Sequence, residues 1–133
     1  MSELRIAAEP ENMEQVMAFV DGELEAHGCP MKAQTQLDIA VDELFANIAH
    51  YAYGEETGEA LIRMEFPDGY AEITFLDRGI PYNPLERPDP DVTLSSEERQ
   101  IGGLGIYMVK KSMDSVSYRY EDGQNILTIR KKL

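Results

Sequence analysis

The chain has a single cysteine, Cys29, no tryptophan, and no stretch of about 18 consecutive apolar residues, the length a membrane-crossing helix needs. One cysteine excludes an intramolecular disulfide and a cysteine-based metal site built within the chain, and it points to a reducing compartment. In His27-Gly28-Cys29-Pro30 it reads as a small turn residue rather than a reactive thiol. Met1-Ser2-Glu3-Leu4-Arg5 lacks the basic and apolar regions of a secretion signal. A soluble, cytoplasmic protein, complete from Met1, is therefore expected. Basic residues are scarce too, 12 lysines and arginines against 25 aspartates and glutamates, for a formal charge of −13. A field of that sign opposes nucleic acid and anionic membrane. A phosphate ligand would have to be held locally, by backbone N–H groups at a helix start and by a divalent cation.

What is present is a globular composition, 43% hydrophobic and 28% charged over 133 residues, enough for one domain with its own core. Leu4 to Ala8 has strand character. Pro10 then suits the first turn of a helix carrying Met13, Val16, Met17, Phe19, Val20 and Leu24 at helical spacing. Met13, Met17 and Phe19 at that spacing read as core before they read as a partner surface. A second helix runs from Met31 to about Ala52, with Leu37, Val41, Leu44 and Ile48 on a wide apolar face, and Gly54 closes it.

Two strands, 60–66 and 70–76, flank the hairpin turn Pro67-Asp68-Gly69. A proline-rich, charged stretch holding Pro81, Pro84, Pro88 and Pro90 extends to about Gln100, too long for a routine connection, and reads as a lid over residues 78–101. Gly102-Gly103-Leu104-Gly105 opens a third helix, and two last strands surround Glu121-Asp122-Gly123. This order does not alternate as βαβ units must. It predicts an α+β two-layer sandwich, a mixed or antiparallel sheet with helices on one face, and argues against a Rossmann fold.

Three short segments carry chemistry. Glu43 and Asn47 lie four residues apart on the second helix, so their side chains share a face. One supplies a carboxylate that can accept a proton, the other an amide oxygen of the kind Mg²⁺ prefers. Alone, the pair reads as an ordinary surface pair. Asp77 ends a strand before Arg78-Gly79-Ile80-Pro81, where a carboxylate can accept from the exocyclic amine of adenine and Gly79 permits close backbone approach. Alone, it reads as a turn. Gly102-Gly103-Leu104-Gly105 can aim backbone N–H groups and a helix dipole at phosphates, although it is neither a Walker loop nor a dinucleotide fingerprint.

Together, Asp42-Glu43-Leu44-Phe45-Ala46-Asn47, Asp77-Arg78-Gly79-Ile80-Pro81 and Gly102-Gly103-Leu104-Gly105-Ile106 resemble the N, G1 and G2 boxes of the GHKL ATPases. More narrowly, the chain resembles the anti-sigma-factor serine kinases of bacterial partner-switching systems. The resemblance implies a Bergerat-type sandwich, ATP with Mg²⁺, a homodimer, an anti-anti-sigma partner of STAS type that is phosphorylated, and a sigma factor that is sequestered. It implies Glu43 as general base, Asn47 as Mg²⁺ ligand, and Asp77 as the reader of adenine. Gly79 would be the close-approach glycine, Gly102, Gly103, Leu104 and Gly105 the phosphate loop, and Thr128 a hydroxyl supporting adenine. Read from the residues alone, Thr128 is equally a β-branched strand former. Where many relatives carry His-Ala-Tyr, this chain has Tyr51-Ala52-Tyr53 with His50 one place earlier, so His50 receives no catalytic role. Two rival readings stand beside the kinase: a module that binds ATP and sequesters a partner without transferring phosphate, and the ATPase part of a histidine kinase.

Overall fold

The structure, a computed structural model, describes residues 1–54, 56–86 and 104–133, with the side chain of Leu104 excepted. Among these residues, five strands form one fully antiparallel sheet: β1 (Ser2–Ala7), β2 (Glu59–Glu65), β3 (Tyr70–Asp77), β4 (Ser115–Glu121) and β5 (Gln124–Lys132), in the order β1-β2-β3-β5-β4. Three α-helices among them, α1 (Met13–Ala26), α2 (Met31–Asn47) and α3 (Leu104–Ser112), pack on one face of the sheet. This is the two-layer α+β sandwich that the element order predicts.

Local sequence explains the boundaries. Pro10 begins a single 3₁₀ turn, Pro10–Asn12, before α1, as a residue with fixed φ and no N–H can. The β2–β3 turn places Asp68 and Gly69 at φ 50 and 84°, and the β4–β5 turn places Asp122 and Gly123 at 53 and 76°. Both turns use the residue types that tolerate positive φ. Gly54, φ 60°, ends the second helical segment. That segment is not uniform: α2 stops at Asn47, and Ile48–Ala52 is a π-helical turn. Such turns are rare and recur at functional sites.

The helices bury one stripe each, Val16, Val20 and Leu24 from α1, Leu37, Ala40, Val41, Leu44 and Phe45 from α2, and Ile106 and Val109 from α3. These meet the alternate residues Ile62 and Met64 of β2, Ala71, Ile73 and Phe75 of β3, and Leu127 and Ile129 of β5. Each large side chain buried there contributes about 1.5–3 kcal/mol. Met13, Met17 and Phe19 are half-buried against the same core, so the core reading of these residues holds. Helix α2 runs between α1 and α3, which brings its C-terminal end over the ends of β3 and β5.

Candidate functional site

Asp77 is the last residue of β3 and lies on its core-facing side, only 7% exposed. A carboxylate so placed must be hydrogen-bonded. Its Oδ1 accepts from the backbone N–H of Gly79 at 2.9 Å and from Nδ2 of Asn125 at 2.9 Å. Burial pushes the Asp77 carboxyl above the usual carboxylate range, and these two donors oppose that shift.

The loop after Asp77 is fastened on two sides. From the helical side, Ile80 N–H donates to Ala52 O at 2.8 Å, and Arg78 N–H donates to the Tyr53 hydroxyl at 2.9 Å. That hydroxyl in turn donates to Glu59 O at 2.5 Å. From the sheet, Asn125 Nδ2 donates to Ile80 O at 2.9 Å, while its Oδ1 accepts from Tyr82 N–H at 3.1 Å and from the Tyr118 hydroxyl. Gly79 fits because it lacks a side chain: a β-carbon there would lie 2.1 Å from Ala52 O. The backbones could not approach so closely with any other residue.

Across from Asp77, Asn47 closes α2 with its Nδ2 3.4 Å from Glu43 Oε1. The bond is long and leaves the amide oxygen as an acceptor for a cation. Gly105, in the first turn of α3, comes directly against Glu43, since a β-carbon at Gly105 would lie 2.1–2.3 Å from the atoms of the Glu43 carboxylate. Asn47, Asp77 and Asn125 line one pocket, with Leu44, Ile48, Phe75, Ile80, Tyr82 and Leu127 forming its apolar walls. Apolar walls with a few convergent polar groups are the usual make-up of a small-molecule site.

The structure thus brings Asn47 and Asp77 together in one pocket, holds Gly79 against Asp77 and Ala52 beside it, and joins Glu43 to Gly105 beside Asn47. Leu104 is the first residue of α3, whereas Gly102 and Gly103 lie outside the described residues, as does most of the lid stretch beyond Glu86. Thr128 does not join the group. It sits on the opposite face of the sheet, paired with Thr74, its Oγ1 3.1 Å from that residue's Oγ1. Strand alternation is the reason: Asn125, Leu127 and Ile129 face the helices, so Thr128 faces away. The residue of β5 that reaches the pocket is Asn125, which sequence reasoning missed. The same period of two, counted back from Leu127 and Ile129, is the signal that finds it.

Among the described residues, a five-stranded antiparallel sheet under three helices, with an asparagine at a helix end facing an acid at a strand end, is an α+β sandwich with a pocket at one end rather than a Rossmann fold. The sequence profile described as histidine kinase-like ATPase domain matches residues 6–131, and the chain belongs to that family, the GHKL ATPases. It is 28% identical over 129 residues to the serine-protein kinase RsbW of Listeria monocytogenes, covering 93% of this chain and 82% of that protein. It is 26% identical over 129 residues to RsbW of Bacillus thuringiensis, covering 94% and 81%. Its fold is similar to the crystal structure of the RsbU and RsbW domains of Rv1364c from Mycobacterium tuberculosis, with a TM-score of 0.65 at 15% identity. That match covers all of this chain and 33% of the other, so the present chain spans about a third of that longer protein.

Proposed function

We propose that the chain is an ATP-dependent protein serine kinase and anti-sigma factor of the cytoplasm, which phosphorylates a STAS-type anti-anti-sigma partner and, as a homodimer, sequesters a sigma factor. The observation that carries this reading is the meeting of Asn47 and Asp77 in one pocket, with Gly79 packed against Ala52 beside it and the Glu43 carboxylate pressed against Gly105. The serine-protein kinase names of the relatives support the choice of reaction.

In this reading Asp77 accepts from the N6 amine of adenine, and the donors on its Oδ1 hold the carboxylate in place while its other oxygen faces the ring. Gly79 lets the loop backbone close on the base. Glu43 takes the proton of the attacking serine hydroxyl, for which it lies within one helical turn of Asn47. Mg²⁺ fits the donor set at Asn47, whose amide oxygen would hold it, and would supply charge neutralisation on the transferring phosphoryl. The N-terminus of α3, preceded by Gly102 and Gly103, offers N–H groups to the phosphates.

Incubation with γ-labelled ATP and a STAS-type partner tests the reading. Label on a partner serine is expected from the wild-type chain. Glu43→Ala should lose at least about two orders of magnitude in transfer rate, in line with removal of a general base, while retaining ATP binding. Stable partner binding without label would instead favour a module that uses ATP only as a conformational ligand.

A further inference from the structure

The face of the sheet turned away from α1, α2 and α3 carries one apolar row among polar ones. Pairing register sets Arg5 of β1 beside Leu61 of β2, Leu61 beside Leu76 of β3, Leu76 beside Ile126 of β5, and Ile126 beside Arg119 of β4. Residues paired across neighbouring strands share a face, so this row is apolar in its middle and cationic at both ends. It spans about 19 Å at the usual strand spacing of about 4.8 Å. The neighbouring row, Glu3, Arg63, Thr74, Thr128 and Ser117, is entirely polar.

Every arginine among the described residues lies on this face or at its rim. Three have carboxylate partners: Arg63 with Glu3 at 2.8 Å, Arg119 with Glu121 at 2.8 Å, and Arg130 with Glu72 at 3.3 Å. The other two, Arg5 and Arg78, have no ion pair among the described residues, in a chain of net charge −13. Both line the same open cleft of about 580 Å³, together with Leu61, Leu76, Tyr53 and Gln124. Glu59 also lines it and offsets one of the two charges. The Asp77 carboxylate, which backs onto the cleft, is engaged by Gly79 and Asn125.

We propose that this cleft and the apolar row beside it dock a short segment of a partner protein that presents apolar side chains flanked by carboxylates. The apolar part would cover Leu61 and Ile126, which flank the already buried Leu76, and the carboxylates would meet Arg5 and Arg78, whose planar guanidinium groups suit bidentate pairing. Arg5 and Arg78 decide the occupant: in a chain of net charge −13 they are guanidinium groups without an ion pair among the described residues, set beside Glu59 and Asp77, so bidentate pairing rather than a net positive field would hold an acidic segment. The open form and the length of the row favour a peptide segment over a small anion, which binds in enclosed pockets. The cleft opens on the face of the sheet away from the helices, with Asp77 lining both it and the candidate nucleotide pocket, and docking there needs no phosphoryl transfer.

Selection of a random dodecapeptide display library on the immobilised full chain tests this, followed by fluorescence anisotropy of the enriched peptides. Peptides with an apolar centre and acidic flanks are expected, and their amide perturbations in NMR spectra should fall on Leu61, Leu76 and Ile126. Arg5→Glu/Arg78→Glu should weaken them at least about tenfold, and more at low salt, as loss of paired charges does. Arg63→Glu, on the same face, should change affinity less than about twofold, the scale of an exposed and already paired charge. Matching thermal melts establish that the variants fold, with Arg5→Gln/Arg78→Gln as the milder pair. No enrichment, enrichment without acidic flanks, or affinity unaffected by both double variants overturns the proposal. Citrate binding as tightly as the peptides would replace the segment by a small anion. A dimer in sedimentation that the double variants dissolve would make a second copy the occupant.

Discussion

The side-chain amide of Asn125 serves four partners: Asp77, Ile80, Tyr82 and Tyr118. It ties the strand-end acid, the loop that follows it and the edge strand β4 into one network, and it is itself only 7% exposed. Asn125→Ala leaves a buried carboxylate short of a donor and three loop or hydroxyl groups without their acceptor or donor. A loss of about 1–3 kcal/mol is expected from unsatisfied buried groups, read by urea denaturation, with weaker nucleotide binding alongside. The two glycines of the site separate stability from function. At Gly79 an added methyl meets the carbonyl of Ala52, which cannot yield without moving the backbone. Gly79→Ala should therefore cost about 1–3 kcal/mol, as overpacking does, and abolish ATP binding. At Gly105 it meets the end of the flexible Glu43 side chain, so Gly105→Ala should fold with a near-normal melting temperature while displacing the carboxylate and slowing transfer. Equal stability losses in the two variants would contradict this distinction.

Between elements, α1 and α2 meet through a pair of carboxyls. The carboxyl of Asp38 on α2 is pushed up to about 7, first by burial and then by the neighbouring carboxyls of Asp21 and Glu25 on α1. Gln34 Nε2 donates to Asp21 at 3.2 Å, while Asp38 Oδ1 is buried without a partner. The sign follows directly: between the ordinary carboxylate range and about 7 the folded state holds a proton that the unfolded state has lost, so stability falls as pH rises through that window. Asp38→Asn should flatten this slope and raise the melting temperature near neutral pH, as thermal melts across the window would show. An unchanged slope would contradict the assignment.

The elements themselves were largely legible from sequence because their boundaries rest on local chemistry. Pro10, Pro67-Asp68-Gly69, Gly54 and Glu121-Asp122-Gly123 each stand where a fixed or positive φ is required. The π turn at Ile48–Ala52 was not legible, since its last carbonyl is engaged by Ile80 N–H from a distant strand end. Nor was the full role of Asn125, because strand period gives only its facing, while its partners Ile80, Tyr82 and Tyr118 come from segments that only the fold brings to it.

At the scale of the whole molecule, charge and layers are arranged together. The described arginines gather on the open face of the sheet, while the acidic side chains of α1 and α2, such as Glu14, Glu25 and Asp42, surround the other layer. A net charge of −13 repels itself in the compact state, so added salt should raise the melting temperature; a fall on adding salt would show that paired surface charges dominate instead. Under the same charge, phosphates at the proposed nucleotide pocket would need a cation and backbone donors to hold them. The proposed recognition of adenine rests on family membership, the placement of Asn47 and Asp77, and the Gly79 contact. Titration calorimetry of Mg·ATP and Mg·GTP on the wild-type chain and on Asp77→Asn tests this most directly. Binding of ATP but not GTP by the wild type, with ATP affinity lost in Asp77→Asn, is the expected result. Equal binding of the two nucleotides, or an Asp77→Asn chain that still binds ATP as the wild type does, would contradict it.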